Sequence, residues 1–240
     1  MLSKNELKYI QSLCHKKQRQ AEGLFIAEGT KLAEELLKSD YRIRKIYATT
    51  DWEPSVSPKE EVVTISEAEL ERISSLQTPN KVLLIAEQPL KKTAPLLSKG
   101  LTLLLDGIQD PGNLGTLIRI ADWFGIKQII AGEHTAELYN PKVIQSTMGS
   151  FIRVNVTYQS LKEVLTSCKL PVYGALLKGE NVNIMKPVTD GLLVIGNESK
   201  GISNELLSYI TYPVTIPRMG GAESLNAAVA AGIILSRMSE

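Results

Sequence analysis

Apolar and polar positions follow two different rhythms along this chain. Over the first 90 residues or so, short helical and extended patterns are mixed. Leu7, Ile10 and Leu13 recur at helical spacing and predict a helix over residues 5–13. Residues 24–27 read as a short strand. Residues 28–38 read as a helix with Leu32, Ala33, Leu36 and Leu37 on one face. Strands are expected at 43–48, 62–65 and 82–87, and Ser66 with Glu69 three positions on forms the capping-box pattern that opens a helix.

From residue 101 the pattern becomes regular. Apolar runs at 101–106, 126–131, 151–156, 172–177, 192–196 and 214–217 predict strands. They are separated by helical stretches at 114–124, 141–148, 160–168, 203–210 and 222–238. Fully apolar strands alternating with helices indicate a parallel sheet covered on both faces. Between the two rhythms, residues 91–100 combine lysines, a proline and a terminal glycine, the composition of a linker. The expected layout is an α/β chain with a small domain at 1–90, the linker at 91–100 and a parallel-sheet domain at 101–240.

Composition sets bounds on the partners. Of 240 residues, 43% are hydrophobic and 22% charged, too apolar for a disordered chain. The net charge is only +1, so any nucleic-acid contact has to come from local patches. One such patch is present: Lys4, Lys8, Lys16, Lys17 and Arg19 face a single acid, Glu6, within the first 20 residues, and the phosphate backbone is the partner that suits it. Lys91, Lys92, Arg153, Lys200 and Arg218 are candidates to extend it. Each is also the kind of residue that simply solvates a surface. The two cysteines, Cys14 and Cys168, lie far apart and near no histidine cluster, so two free thiols are expected and no metal site. No apolar run approaches a membrane span and the amino terminus has no signal-like core, which together predict a cytoplasmic protein.

Three segments carry candidate chemistry. In the first, the strand ending at Asp106 runs into a Gly/Pro/Asn turn and then a helix that carries Asn113 and Arg119. Ligands of open α/β sheets bind at such carboxyl ends. Arg119 is flanked by Leu117-Ile118 and Ile120-Ala121, and a guanidinium among core residues needs a partner. Taken alone it reads as a structural salt bridge. In the second, an apolar strand ends in Gly196-Asn197-Glu198, with Gly201 shortly after; taken alone, Glu198 reads as a helix-capping acid. In the third, a strand ends at Pro217, followed by Gly220-Gly221, Ser224-Leu225-Asn226 and a helix made largely of alanine. Small side chains in such number imply close packing against another backbone, within the chain or at a dimer seam.

In order, N-x-x-x-x-x-R, then G-N-E-x-x-G-I-S, then I-P-x-x-G-x-x-x-S-L-N-x-A-x-A resemble the three motifs of the SpoU/TrmH RNA 2′-O-ribose methyltransferases of the SPOUT superfamily. Arg19-x-x-x-Gly23-x-Phe25-x-x-Glu28-Gly29, and Thr78-Pro79 before a strand, are similar to that family's substrate-binding domain. The resemblance implies a deep trefoil knot in the carboxyl-terminal domain, with small residues such as Gly196 and Gly220-Gly221 where segments cross. It implies S-adenosylmethionine as cofactor, contacted near Leu176 and Leu177, at Gly196 and Asn197, at Ile216, and at Ser224 and Leu225. It places Arg119 at the ribose hydroxyl, with Asn113, Glu198, Ser224 and Asn226 around it. It implies a homodimer through the knotted domain, RNA bound partly by Lys4, Lys16, Lys17 and Arg19, and no metal. The two-domain layout resembles members acting on large-subunit ribosomal RNA more than single-domain transfer-RNA enzymes. Two other readings remain: a non-catalytic RNA-binding or ribosome-assembly protein on the same scaffold, and a nucleotide-dependent small-molecule enzyme. The second predicts a phosphate-binding glycine fingerprint after the first parallel strand, and that fingerprint is absent.

Overall fold

A computed structural model describes residues 1–89 and 100–239. The chain forms two compact units, and the linker expectation falls outside the described residues apart from Gly100.

The first unit begins with α1 (Lys4–Ser12) and α2 (Lys16–Glu22). It continues with β1 (Leu24–Glu28), α3 (Thr30–Leu37), β2 (Ile43–Ala48), β3 (Val62–Thr64), α4 (Glu67–Ile73) and β4 (Val82–Glu87). Its four strands lie in the order β1-β4-β2-β3, with β4 antiparallel to both neighbours and β3 parallel to β2. The helical apolar face of α1 supplies Ile10, and Leu13 follows it; α4 supplies Leu70 and Ile73. These meet Ile26, Leu83 and Ile85 of the sheet in one core. The expected capping box is present, with the Ser66 hydroxyl accepting from the Glu69 N–H and the Glu69 carboxylate accepting from the Ser66 N–H. The α2 helix has no counterpart in the sequence reading, because Lys-Lys-Gln-Arg-Gln-Ala-Glu carries no apolar stripe.

The second unit contains β5 (Leu101–Asp106), α5 (Pro111–Trp123) and β6 (Gln128–Ala131). After α6 (Pro141–Thr147) come β7 (Asn155–Tyr158), α7 (Leu161–Ser167), β8 (Val172–Asn181), β9 (Gly191–Gly196), α8 (Asn204–Leu207), β10 (Tyr212–Thr215) and α9 (Ala227–Met238). The six strands lie in the order β10-β8-β9-β5-β6-β7, and every pairing is parallel. Leu103, Leu104 and Leu105 on β5 are fully buried, which contributes roughly 2 kcal/mol each. The predicted α/β architecture and parallel sheet are therefore present.

Several elements of the carboxyl-terminal half differ from the sequence reading. The strand expected at 151–156 is a 3-10 turn, Ser150–Ile152, followed after two intervening residues by β7. Phe151 is buried edge-on against Phe25 and Tyr41, and that anchoring overrides the extended preference of Phe-Ile-Arg-Val. The last helix starts at Ala227 rather than 222, because Asn226 caps it by accepting from the N–H groups of Ala228 and Val229. The helix expected at 203–210 is a single turn, α8. The segment Leu138–Ile152, α6 included, belongs to the first unit. Tyr139 and Phe151 pack on Phe25 of β1, and Gly149, at φ +97°, closes on Glu35 of α3.

Candidate active site

The carboxyl ends of β5, β9 and β10 converge, and each of the three sequence segments begins at one of them. Asp110 caps α5 by accepting from the Asn113 N–H at 2.8 Å, and Pro111 occupies the first helical position. This cap starts α5 three residues earlier than the periodicity suggested and fixes where Asn113 points. The Asp-Pro pair was the signal available in the sequence.

Asn113 links two of the segments. Its Nδ2 donates to Glu198 Oε1 at 2.6 Å, and its Oδ1 accepts from Asn226 Nδ2 at 2.8 Å. Asn226 Oδ1 in turn accepts from the first amides of α9. A carboxylate only accepts and backbone N–H groups only donate, so this row of bonds fixes the orientation of both side-chain amides. The three motif residues form one polar chain, Asn226 to Asn113 to Glu198.

The turn that carries Glu198 is tightly built. Asn197 and Gly201 exchange backbone bonds of 3.0 and 2.9 Å. Asn197 Oδ1 accepts from the N–H groups of Ser199 and Lys200, while its Nδ2 donates to the Gly107 carbonyl at 2.8 Å. A Cβ on Gly196 would lie 2.2 Å from the Gly201 carbonyl carbon, so only glycine fits. A second such approach was not foreseen: a Cβ on Gly179 would lie 2.4 Å from the Pro213 carbonyl oxygen. No sequence signal distinguishes Gly179 from an ordinary loop glycine. Gly220 and Gly221, expected at a crossing, face open space.

The residues expected at the cofactor lie on adjacent strand ends. The pairing of β8 with β10 shifts register between Gly174 and Glu180, and Leu176 and Leu177 sit in the interval. Leu177 is 77% exposed, and its carbonyl accepts from the Thr215 hydroxyl. Leu225 is also exposed and Ile216 half-buried. Aliphatic side chains, exposed at Leu177 and Leu225 and half-buried at Leu176 and Ile216, offer the apolar surface an adenine ring packs on, and the side-chain-free Gly196 lets backbone approach a ligand, so the chemistry of these residues fits S-adenosylmethionine.

Two expected site residues stand apart. Ser224 is exposed, and its side chain makes no hydrogen bond with a described residue. Arg119 is exposed as well, six residues and about 9 Å of helix rise beyond Asn113. Its guanidinium pairs with no described residue, so the partner that its apolar flanks seemed to demand is not needed. Leu117 and Ile118 are buried, whereas Arg119 shares the outer face of α5 with Thr116 and Trp123, the latter 85% exposed.

The basic patch changes by one member. Lys4, Lys8, Lys16 and Lys17 are exposed. Arg19 is 1% exposed and donates through Nη1 to the carbonyls of Leu13 and Cys14, at 3.0 and 2.7 Å. It closes the carboxyl end of α1 and is corrected here from an RNA contact to a structural one. Arg153 is engaged with Asp122 at 2.8 Å, and Lys91 and Lys92 lie outside the described residues. Among the described residues no helix is long and apolar enough to cross a membrane, and no three His, Cys, Asp or Glu side chains are placed to hold a metal ion.

Comparison with known proteins adds independent findings. Residues 100–236 match the family described as "SpoU rRNA Methylase family", and residues 4–84 match the "MRM3-like substrate binding domain". The chain is 32% identical over 230 residues to the "23S rRNA (guanosine(2553)-2'-O)-methyltransferase RlmP" of Bacillus subtilis, covering 92% of this chain and 90% of that protein. Among solved structures, a putative RNA methyltransferase of the TrmH family from Porphyromonas gingivalis superposes with a TM-score of 0.88 at 39% identity, covering 100% and 98% of the two chains. The SpoU methyltransferase AviRb from Streptomyces viridochromogenes, solved in complex with AdoMet, superposes with a TM-score of 0.82 at 25% identity, covering 98% and 97%.

Proposed function

The chain belongs to the SpoU rRNA methylase family, and from that membership together with its site we propose that it methylates a ribose 2′-hydroxyl of large-subunit ribosomal RNA, using S-adenosylmethionine. The observation that carries the reading is the single polar chain Asn226–Asn113–Glu198, which joins all three motif segments at the carboxyl ends of the sheet. The relatives acting on 23S ribosomal RNA favour that substrate over transfer RNA. So does the amino-terminal unit, which matches a substrate-binding domain.

The bound cofactor supplies a sulfonium methyl group. Leu176, Leu177, Ile216 and Leu225 hold its apolar parts, and the Gly196-Asn197 turn approaches it with backbone. Asn113 and Asn226 orient Glu198, whose carboxylate accepts the proton of the attacking 2′-hydroxyl. Arg119 stabilises the developing alkoxide as a fixed positive charge; a guanidinium keeps its proton at neutral pH and is unsuited to be the base. Exposed Ser224 contacts the cofactor and the ribose beside the reacting hydroxyl. Lys4, Lys16 and Lys17 hold phosphates.

Arg119 is separated from the polar chain, but it lies on the exposed face of α5 with Thr116 and Trp123, and α9, which packs on α5, exposes Val229. We place a second copy of the chain on this face, so that Arg119 lies in the dimer seam. The backbone approach of Gly179 on β8 to Pro213 on β10 supports the threaded, knotted path that the resemblance implies.

The test is calorimetry with S-adenosylmethionine followed by single-turnover methylation with Arg119→Lys. The expected result is cofactor binding, retained in the variant, with turnover reduced about a hundredfold. Absence of binding at millimolar cofactor would favour the non-catalytic scaffold reading. Near-normal turnover of the lysine variant would remove any role that depends on the guanidinium fork.

A further inference from the structure

Asp106 ends β5, in register with Gly196 on the neighbouring parallel strand. Its Oδ2 accepts the backbone N–H of Ser203 at 2.7 Å, in a half-buried setting. Ser203 is where the turn carrying Glu198 leaves to form α8. As the N-cap of that helix it makes no side-chain capping bond, and its hydroxyl oxygen is buried without a hydrogen-bond partner. The exit of the turn is therefore not secured by its own side chain.

The turn is held to the β5–α5 segment at three points. At its entry Asn197 Nδ2 donates to the Gly107 carbonyl. At its exit Ser203 N–H donates to Asp106. Between them Glu198 accepts from Asn113. Asn113 is itself fixed to the same segment through the Asp110 cap. Both ends of the Glu198 turn thus take their reference from the strand end that positions Asn113. Asp106 supplies a carboxylate acceptor at the exit, and bonds to charged acceptors are short and strong.

We infer that Asp106 is a positioning residue for methyl transfer, holding the exit of the 197–203 turn so that the Glu198 carboxylate stays in register with Asn113. The inference rests on the proposed role of Glu198. Without the exit bond the turn pivots about Asn197, and Glu198 moves relative to the attacking hydroxyl. The entry anchor, beside the expected cofactor contacts at Gly196 and Asn197, stays in place. The loss therefore falls on the chemical step and not on binding.

The experiment is a double-mutant cycle on the full-length protein, measuring single-turnover methylation of large-subunit ribosomal RNA, the RNA KM and S-adenosylmethionine affinity. Asp106→Ala is expected to lower kcat about tenfold, because small misplacements of a reacting group cost rate steeply. Cofactor affinity and RNA KM should stay within about threefold of the wild type. Asp106→Asn keeps an acceptor oxygen and should recover most of the rate. Ser203→Pro removes the donor from the other side at a φ of −61° that proline already adopts, and should reproduce the alanine variant even if that variant folds poorly. In a Glu198→Gln background Asp106→Ala should add less than about twofold, since residues acting as one unit are not additive. Multiplicative effects, or normal kcat in both Asp106→Ala and Ser203→Pro, would overturn the inference while leaving the Glu198 reading standing. A normal kcat in Glu198→Gln alone would overturn that reading, and the inference with it.

Discussion

Gly196→Ala tests the packing of the site at a single atom. The added methyl would stand 2.2 Å from the Gly201 carbonyl carbon, 2.3 Å from the Ile202 nitrogen and 2.5 Å from the Gly201 oxygen. All three are backbone atoms, so no side chain can swing aside. Reaching ordinary contact requires the 201–202 backbone to retreat by about 1 Å. That movement breaks the paired bonds between Asn197 and Gly201 and strains those from Asn197 to Gly107 and from Ser203 to Asp106. At about 1 kcal/mol for each of four bonds, the variant should lose roughly 3–4 kcal/mol of stability. If the loop alone rearranges, it should lose cofactor binding instead. The assay combines urea denaturation with calorimetric titration of S-adenosylmethionine. Gly221→Ala is the control, because a Cβ there meets nothing within 4 Å and should change neither measurement. Wild-type stability together with wild-type cofactor affinity in Gly196→Ala would refute the described packing of this turn.

Arg19→Met should destabilise the first unit by about 2 kcal/mol in urea denaturation, because the Leu13 and Cys14 carbonyls lose a donor; an unchanged midpoint would restore Arg19 as a candidate RNA contact. Backbone N–H groups of Ser66 and Leu2, with the Ser66 hydroxyl, hold the Glu69 carboxyl down at about 2. A depressed folded pKa stabilises above the unfolded value and is lost as pH falls, so the stability difference between the wild type and Glu69→Gln should shrink between pH 4.5 and about 2; a constant difference would contradict the capping-box assignment. Trp123→Lys should convert a dimer into a monomer in light scattering and reduce methylation, whereas a monomeric wild type would remove the seam from the account.

Strand β5 was legible to the residue because a run of four leucines and one threonine bounded by Gly100 and Asp106 has few alternatives. The polar ends of elements were harder to read. Helix α9 carries its alanine signal only from residue 227, and the preceding glycines and Ser224-Leu225 show no periodicity that would exclude them. Phe151 looked like a strand residue, yet its position is decided by Phe25 and Tyr41, more than a hundred residues earlier. Arg19 shows the same limit for charge: five basic residues in a row of twenty read alike, and only the fold turns one of them inward.

Of the site, the motif residues were legible one at a time and by their order. The bonds among them were not, because Asn113, Glu198 and Asn226 are 85 and 113 positions apart. Asp106 and Gly179 carried no distinguishing pattern, since their roles consist wholly of what approaches them in space.

The most direct measurement is the transfer of labelled methyl from S-adenosylmethionine to unmodified large-subunit ribosomal RNA by the purified protein. The position is then mapped by resistance of the 3′-phosphodiester to alkaline hydrolysis, with transfer RNA as the parallel substrate. The account predicts a ribose 2′-O-methyl group in ribosomal RNA, none in transfer RNA, and loss of the signal in Asn113→Ala. Label on a base, label only on transfer RNA, or full activity in Asn113→Ala would contradict it.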